Sequence, residues 1–483
     1  MRSPASADTR PHVQPAVLDN TRSTVVPTGA GLQSPRGTIV LVSAAFPPWT
    51  VVGAARWEGF APYLNAAGWQ LSALIETPTG DAPVDRERAT RLGSGVTIHA
   101  VDRRTPAWRG VVLRLVRQLR RSVRTQGSPQ SVILTDVRAP SDGPTMRTLH
   151  PREFFGAAVE ASRSRKWIRD LVAISETLND ELRSATLVIS SGPPHDAHVA
   201  ASAIAVRRNL PHVLDLRDPW IGNTTTSTLV STLLAGPLNA KVERRVMLAA
   251  AAIITNTPSA AAALSARHPE LAGRVHAVLN GSDRAPERPR VLAHDAPYLI
   301  VHTGTLYLDR DPRPFLRAVA SVRERLGDQA ARLRVVFMGH PAAIDGRRLF
   351  EWAHDFGLDG CFEERPFGTR AEATALMDSA AMLVAFQGAT PTQVPAKVFD
   401  YVSHAAAILA LTEARSATAA VLEGTHALVT PLDDVAGIAA HIERAFTQAV
   451  SGVPIVPVDS DGRFARATQA AALREILERI PVR

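Results

Sequence analysis

Residues 38–76, "TIVLVSAAFPPWTVVGAARWEGFAPYLNAAGWQLSALIE", decide the fold. The run of β-branched and aliphatic residues at 38–43 is typical of a strand that is buried on both faces of a parallel sheet. A loop with two prolines follows, and Gly53 stands where a helical pattern begins. A second strand is predicted at 69–76. This order of strand, helix and strand predicts a βαβ unit with parallel strands.

The same order recurs along the chain. It returns at 185–220, "ATLVISSGPPHDAHVAASAIAVRRNLPHVLDLRDPW", and a second block of alternating strands and helices begins near residue 295 with "YLIVHTGTLY". The Pro-rich stretch "DRAPERPRVLAHDAP" separates the two blocks. We therefore predict an α/β protein with two successive, mostly parallel sheets. The predicted parts are a disordered tail (1–36), an N-terminal domain (37–290), a C-terminal domain (291–460) and a last helix (461–483).

Composition restricts the function classes. The 483 residues exceed what one hydrophobic core normally supports. The net charge of +8 favours acidic partners such as phosphates or an anionic membrane, although arginine usage on a solvated face explains it equally well. A single cysteine, Cys361, fits a reducing compartment. The first 36 residues lack the apolar core of a secretion signal, so we expect a cytoplasmic protein.

Several classes of site are disfavoured. The fifteen histidines and one cysteine show no metal-ligand spacing, and neither a Walker pattern nor a G-x-S-x-G elbow occurs. No nucleic-acid-binding module is visible. We expect no cofactor, no catalytic metal and no nucleic-acid partner.

Ligands of open α/β sheets bind beyond the carboxyl ends of the strands, so the loops at these ends carry the functional signal. The informative pieces are "FPPWTVVGAAR", "VLDLRDPW", "ITNT", "VLNGSD", "HTGTLY" and "PAKVFDYVSHAAAILAL". In this order and placement the chain resembles a retaining GT-B glycosyltransferase of the glycogen-synthase-like family 4. The "RDPW" element is similar to a subgroup that assembles bacterial surface polysaccharides. The resemblance implies two Rossmann-like domains that face each other across a cleft, with a nucleotide-sugar donor in the C-terminal domain and an acceptor in the N-terminal domain.

Lys397 is the first candidate residue. The chain has only three lysines, and this one is predicted in the first turn of a helix, where backbone N–H groups favour an anion. A compact ammonium there suits a phosphate better than a planar guanidinium does. The alternative is a lysine that is simply solvated.

The same segment supplies further donor contacts by resemblance. Asp400 stands where the family usually has a Glu that holds the ribose hydroxyls, although it could be an ordinary charge on a helix face. Thr392 stands where many members have a second Glu beside the sugar, which leaves backbone amides around 390–394, including that of Val394, to hold it. The chain departs from the family at both positions.

Other candidates lie at neighbouring strand ends. Gly304 and Thr305 form the turn after one strand, and either Arg310 or Arg313 is expected to reach the diphosphate. Gly53 allows the backbone to approach the phosphates or is a turn glycine at positive φ.

Arg217 and Asp218 end a buried strand of the first domain. They are expected to touch the donor sugar as catalytic candidates beside Lys397, or to form a structural ion pair. His195, His302 and His340 also stand at strand ends, where a lone histidine is usually an ordinary polar contact.

An arginine-rich segment, residues 107–125, has apolar residues at helical spacing on one face. This pattern is typical of a helix that lies on an anionic membrane, or of a helix packed on the N-terminal domain with a solvated basic face. The membrane interpretation places the protein on the inner face of the cell membrane. The six arginines concerned are Arg109, Arg114, Arg117, Arg120, Arg121 and Arg124.

The function expected from these observations is transfer of a sugar, with retention, from a nucleotide sugar to a lipid-linked or polysaccharide acceptor. A nucleotide-sugar epimerase of similar fold and a non-catalytic membrane-associated protein are the alternatives. Thr392 disfavours the epimerase, because that reaction needs carboxylates that converge on the sugar.

Overall fold

The computed structural model describes most of both predicted domains. The described residues are 36–78, 84–103, 151–220, 236–306, 310–339, 343–388 and 391–481. The predicted tail apart from its last residue, the arginine-rich segment 107–125 and His340 lie outside them.

A parallel sheet of seven strands forms the N-terminal domain. Its spatial order is β3-β2-β1-β4-β5-β6-β7, and each neighbouring pair runs parallel. β1 is an interior strand, with β2 and β4 on either side, as its apolar side chains on both faces predict. The strands are β1 Gly37–Ser43, β2 Trp69–Glu76, β3 Val96–Val101, β4 Ala185–Gly192, β5 His212–Leu216, β6 Ala252–Thr255 and β7 Val275–Ala277.

Helices cover both faces of this sheet. Ile39 and Leu41 of β1 point into one core and Val40 and Val42 into another, as the two-residue period of a strand requires. The described helices before residue 290 are α1 Val52–Ala66, α2 Arg86–Arg91, α3 Pro151–Thr177, α4 Asp196–Arg208, α5 Gly236–Ala249 and α6 Pro258–Arg267. The core on the Ile39 side packs against α1, and the one on the Val40 side packs against α3 and α4.

The C-terminal domain repeats the arrangement with six parallel strands. Their order is β12-β9-β8-β13-β14-β15, and a small antiparallel pair, β10-β11, stands apart. The strands are β8 Tyr298–Thr303, β9 Leu333–Met338, β10 Ala343–Ile344, β11 Arg347–Arg348, β12 Phe362–Arg365, β13 Met382–Phe386, β14 Ala407–Leu411 and β15 Leu428–Thr430. The predicted class, two Rossmann-like parallel sheets, is confirmed.

Two further cores lie on the faces of this second sheet. Ile300 of β8 contributes to the core with α7 and α12, and Val301 contributes to the core with α9, α10 and α11. The helices are α7 Arg313–Leu326, α8 Leu349–Asp355, α9 Arg370–Ser379, α10 Ala396–Tyr401, α11 Ala417–Leu422, α12 Val435–Val450 and α13 Arg466–Glu478.

The last helix, α13, returns to the N-terminal domain. Its Leu473 and Leu477 are buried in the same core as Trp57 of α1. Arg466 anchors the start of the helix by donating to Asp283, with 2.8 Å between Nε and Oδ1. The end of the chain therefore packs on the first sheet.

The Pro-rich joint is held against the C-terminal domain. The N–H of Glu287 donates to the Ser403 carbonyl at 2.8 Å. Arg290 and Ile455 exchange two backbone hydrogen bonds of 3.0 and 2.8 Å. Hydrogen bonds along its length make this joint an ordered strap.

Candidate functional site

The carboxyl end of β8 approaches the start of α10. The Nζ atom of Lys397, the second residue of α10, lies 3.2 Å from Nε2 of His302 in β8. Lys397 is half-buried. The alternative of a simply solvated lysine is therefore wrong.

Glycines allow this close approach. Gly304 has a φ of +107°, and a Cβ added there would lie 3.0 Å from the Nζ of Lys397. A Cβ on Gly339, after β9, would overlap the carbonyl oxygen of Gly304. Any larger residue at 304 would thus be strained and would press on the amine. Thr305 follows in the same turn and is half-buried.

His302 is a neutral imidazole with both nitrogens engaged. Its side chain is 1% exposed, and Nδ1 lies 2.8 Å from the carbonyl oxygen of Val384. Burial, aided by the neighbouring Lys397, lowers the pKa of His302 well below its usual value. Because a carbonyl only accepts, Nδ1 carries the proton, and Nε2 accepts a hydrogen bond from Lys397.

The charge of Lys397 is poorly compensated in this position. Burial, together with the positive charge of Arg310, lowers the pKa of Lys397 to about 7, and the negative charge of Asp400 opposes this shift. The partner of the amine is a neutral ring rather than a carboxylate. A bound anion would stabilise the charged form of Lys397.

The two candidate arginines differ in their surroundings. Arg313 is held by carboxylates: its Nε lies 2.8 Å from Oδ2 of Asp311 and its Nη1 lies 2.5 Å from Oδ2 of Asp345. Its guanidinium also lies 5.1 Å from the ring centre of Trp352. Arg310 is close enough to Lys397 to lower the pKa of that amine. The structure therefore groups Arg310, and not Arg313, with Lys397.

Asp400 lies on the same short helix. It is exposed, yet the protein surrounds it closely enough that desolvation raises its pKa, while Arg370 opposes the shift. The next residue, Tyr401, is fully buried, and its hydroxyl accepts a 2.9 Å hydrogen bond from the N–H of Thr303. α10 is thus fixed to the end of β8 through Tyr401 while Asp400 remains accessible.

At the carboxyl end of β5, Arg217 packs on Gly53. A Cβ on Gly53 would overlap the Arg217 guanidinium, whose Nη2 donates to the carbonyl of Pro193. Gly53 is the second residue of α1 and lies outside the positive-φ region, so the alternative of a turn glycine at positive φ is wrong. Close packing against an arginine is what requires glycine there.

Hydrogen bonds join the loops at the carboxyl ends of the two sheets. Nε2 of Gln393 donates to Oδ1 of Asp218 at 2.7 Å, and the hydroxyl of Thr257 donates to the carbonyl of Thr392 at 2.9 Å. Burial raises the pKa of Asp218, and Arg217 opposes that shift. Val394, two residues beyond Thr392, is buried in the C-terminal core. The loop before α10 therefore contacts the N-terminal domain directly.

Beside this contact lies a cavity of about 210 Å³. Apolar side chains of β5, α5 and α6 supply much of its lining, among them Leu216, Met247 and Leu264. Asp218 and Thr392 contribute polar groups to the same cavity. The cavity can hold the apolar part of an amphipathic molecule next to the polar strand ends.

Two further groups of titratable side chains occur in the described structure. His195 stacks on Trp220 with 5.1 Å between ring centres, and burial lowers the pKa of His195 to about 4. In the C-terminal domain, ligand atoms of Glu287, Asp378 and His404 lie within 4.8 Å of one another. Arg284 contacts both carboxylates of that group, which identifies it as an ion-pair cluster on the joint.

The structure thus places the predicted residues in two sets. Lys397, Gly304, Arg310 and Asp400 lie around the end of β8, and Gly53, Arg217 and Asp218 lie at the end of β5. Sequence reasoning treated His302 as an ordinary polar residue and missed Gln393 altogether. Both act through partners far away in the chain, 95 residues for His302 and 175 for Gln393, so no local signal announces them.

In the part of the chain that the structure describes, no helix combines the length and apolar character that crossing a bilayer requires. No family model matches the chain, and no curated protein does.

The chain is similar to solved structures over nearly its whole length. Sucrose-phosphate synthase from Thermosynechococcus elongatus is 12% identical, with a TM-score of 0.55 over 92% of this chain and 98% of that chain. A UDP-forming α,α-trehalose-phosphate synthase from Burkholderia xenovorans is 12% identical, with a TM-score of 0.55 over 93% and 99%. HepE from Anabaena, solved with UDP-glucose, is 12% identical, with a TM-score of 0.52 over 92% and 99%. At this identity the likeness shows the fold, which is the two-domain GT-B fold of these proteins.

Proposed function

We propose that the chain is a glycosyltransferase that uses a nucleotide sugar. The observation that carries the proposal is the position of Lys397, whose incompletely compensated amine stands at the carboxyl end of β8 with Arg310 nearby. Strand ends of this kind are where α/β proteins bind nucleotides. The fold, shared with synthases and with HepE, supports the same assignment.

The proposed chemistry is a displacement at the anomeric carbon. The bond from that carbon to the diphosphate oxygen breaks, its electron pair stays on the diphosphate, and a new bond forms to an acceptor hydroxyl, whose proton passes to the leaving diphosphate. The charge that develops on the leaving diphosphate is stabilised by Lys397 and Arg310. Arg313 is occupied by Asp311 and Asp345 and stabilises the fold of that loop instead.

The remaining contacts divide between nucleoside and sugar. Asp400 accepts from the ribose hydroxyls, because it is the accessible carboxylate on the helix that carries Lys397. Backbone groups of residues 392–394 hold the sugar in place of a second glutamate. Arg217 and Asp218 touch the sugar from the N-terminal side. Retention of configuration follows from the family resemblance.

The acceptor belongs to the N-terminal domain in this proposal. The apolar cavity beside Asp218 and Thr392 suits an acceptor with an apolar portion, as a lipid-linked intermediate has. Residues 107–125, which lie outside the described residues, would hold the protein on an anionic membrane. Each basic residue near such a surface contributes about 1 kcal/mol.

Release of nucleoside diphosphate from a panel of nucleotide sugars tests the proposal. UDP-glucose comes first, because HepE was solved with it and one related synthase forms UDP. We expect release with at least one donor, and the Lys397→Ala variant should lose most of this turnover. Interconversion of the donor sugar without release would indicate an epimerase, and binding without any reaction would indicate a non-catalytic protein.

Sedimentation with liposomes tests the membrane proposal separately. We expect binding to anionic but not neutral liposomes, and release in high salt, because charges are screened over about 8 Å at physiological ionic strength. Replacing Arg117, Arg120, Arg121 and Arg124 with Gln should abolish sedimentation and spare donor hydrolysis. Equal sedimentation of parent and variant would leave a helix packed on the domain as the better interpretation.

A further inference from the structure

We propose that His302 is a positioning residue: its neutral ring holds the amine of Lys397 at the carboxyl end of β8, where a diphosphate binds. The proposal rests on the function proposed above and adds a residue to its diphosphate site. Three features of the described structure carry it.

The first feature is the fixed tautomer. The Val384 carbonyl lies 2.8 Å from Nδ1, so the proton of the neutral ring stays on that nitrogen. Nε2 then faces Lys397 with only a lone pair, at 3.2 Å from Nζ. An acceptor with no proton of its own orients an amine without cancelling its charge, as a carboxylate would.

The second feature is the rigidity of the ring. His302 is 1% exposed and packs against both Phe337 and Phe386, whose ring centres lie 5.1 and 5.0 Å from its own and 5.8 Å from each other. A ring that is buried on a strand, hydrogen-bonded to Val384 and packed against two phenylalanines has little freedom to turn. It can therefore hold a flexible four-carbon side chain in one place.

The third feature is the opposing wall. Gly304 leaves room for Nζ, since a Cβ there would lie 3.0 Å from it. The amine thus lies between an imidazole and a glycine, and both belong to the end of the same strand. The charged and titratable groups that face it are His302 on β8, Arg310 on the following loop and Asp400 on its own helix.

Two substitutions of His302 separate positioning from packing. The carbonyl oxygen of His302→Gln can take the place of the Nε2 acceptor and keep the contact with Lys397. The shorter side chain of His302→Asn extends only to the position of Nδ1. Its amide can donate to the Val384 carbonyl, but Lys397 is left without an acceptor. Both variants replace the imidazole ring with an amide and lose similar packing, so each is a control for the other. Thermal unfolding checks that both variants fold.

The first readout is the affinity for UDP between about pH 6 and pH 9. We expect His302→Asn to weaken UDP by about tenfold or more, the effect of losing an oriented charged hydrogen bond. His302→Gln should stay within about threefold of the parent and keep its pH profile. Equal affinities and equal profiles for parent and Asn variant would overturn the inference.

The second readout needs no ligand. The chain has only three lysines, Lys166, Lys241 and Lys397, so ¹³Cε-lysine labelling gives three resonances that single substitutions assign. In His302→Asn the titration of Lys397 should change, while the other two lysines stay as they were. An unchanged Lys397 titration in that variant would contradict the positioning role even if UDP binding fell. A parent protein that binds no nucleoside diphosphate would overturn the proposed function, and with it the inference that rests on that function.

Discussion

The carboxyl end of β5 in the N-terminal domain and that of β8 in the C-terminal domain differ in the partners of their basic residues. At the end of β5, Arg217 donates to a backbone carbonyl and Asp218 accepts from Gln393. At the end of β8, Lys397 has a neutral imidazole as its partner, and its pKa falls to about 7 because of burial and of Arg310. Burial also lowers the pKa of Arg217, but two nearby carboxylates, Asp215 and Asp218, oppose that shift. At the end of β8, a bound anion would stabilise the charged form of Lys397.

This difference predicts which substitutions affect nucleotide binding. Changes around Lys397 should weaken the binding of a nucleoside diphosphate that carries no sugar. Changes around Arg217 should affect sugar transfer and leave that binding nearly intact.

Lys397→Ala should have the largest effect. Loss of a charge-assisted hydrogen bond to the diphosphate costs about 1.5–3 kcal/mol in binding, and turnover should fall at least as far. Calorimetric titration with UDP, together with the donor assay, measures both. Lys241→Ala, which removes an exposed lysine of the N-terminal domain, is the control for net charge. Equal UDP affinity in the Lys397 variant and the control would remove Lys397 from the site.

Gly304→Ala should follow. The added Cβ would press on the Lys397 amine, and the φ of +107° strains any residue with a side chain, by about 1–3 kcal/mol. We expect a lower melting temperature and weaker UDP binding, measured by thermal unfolding and calorimetry.

Gly53→Ala is the matched control for that substitution. Its Cβ would also contact a basic side chain, that of Arg217, but at the carboxyl end of β5. UDP affinity should stay within about twofold, which is within the spread of a typical surface substitution, while sugar transfer falls. If both glycine variants lose UDP affinity equally, it is wrong to assign diphosphate binding to the end of β8 and sugar transfer to the end of β5.

Asp400→Ala should have the smallest effect. Loss of a ribose contact weakens UDP by about threefold to tenfold, and inorganic pyrophosphate, which has no ribose, should bind as before. Glu413→Ala removes an exposed carboxylate elsewhere in the domain and controls for charge. A parallel loss of pyrophosphate binding would show that Asp400 acts on the diphosphate region through its charge.

The fold was largely predictable because its signals are local. The apolar run at 38–43 and the repeated strand-helix order need only neighbouring residues, and they led to two parallel sheets. The position of Lys397 in the first turn of a helix was predictable for the same reason.

The contacts that give these residues their properties were not predictable in this way. His302 contacts Lys397 because β8 pairs with β13, and the loop after β13 leads into α10, which carries Lys397. This contact depends on the order of the strands in the sheet, which local sequence does not reveal. Neither interpretation of Gly53, close approach of the backbone to phosphates or a turn at positive φ, included its packing on Arg217, which lies 164 residues away in the printed sequence. The return of α13 to the first sheet likewise depends on packing that no single stretch reveals.

The most direct test of the central claim is to count the protons taken up when UDP binds at about pH 8, where an amine with a pKa of about 7 is mostly uncharged. Titrations in buffers of different ionisation enthalpy give this number. UDP should raise the pKa of Lys397 and draw in close to one proton, and uptake should decline toward lower pH as the amine becomes charged beforehand. Lys397→Arg, which is charged at every pH used, should take up none. Equal uptake by parent and Lys397→Arg, or binding without uptake in the parent, would contradict the account.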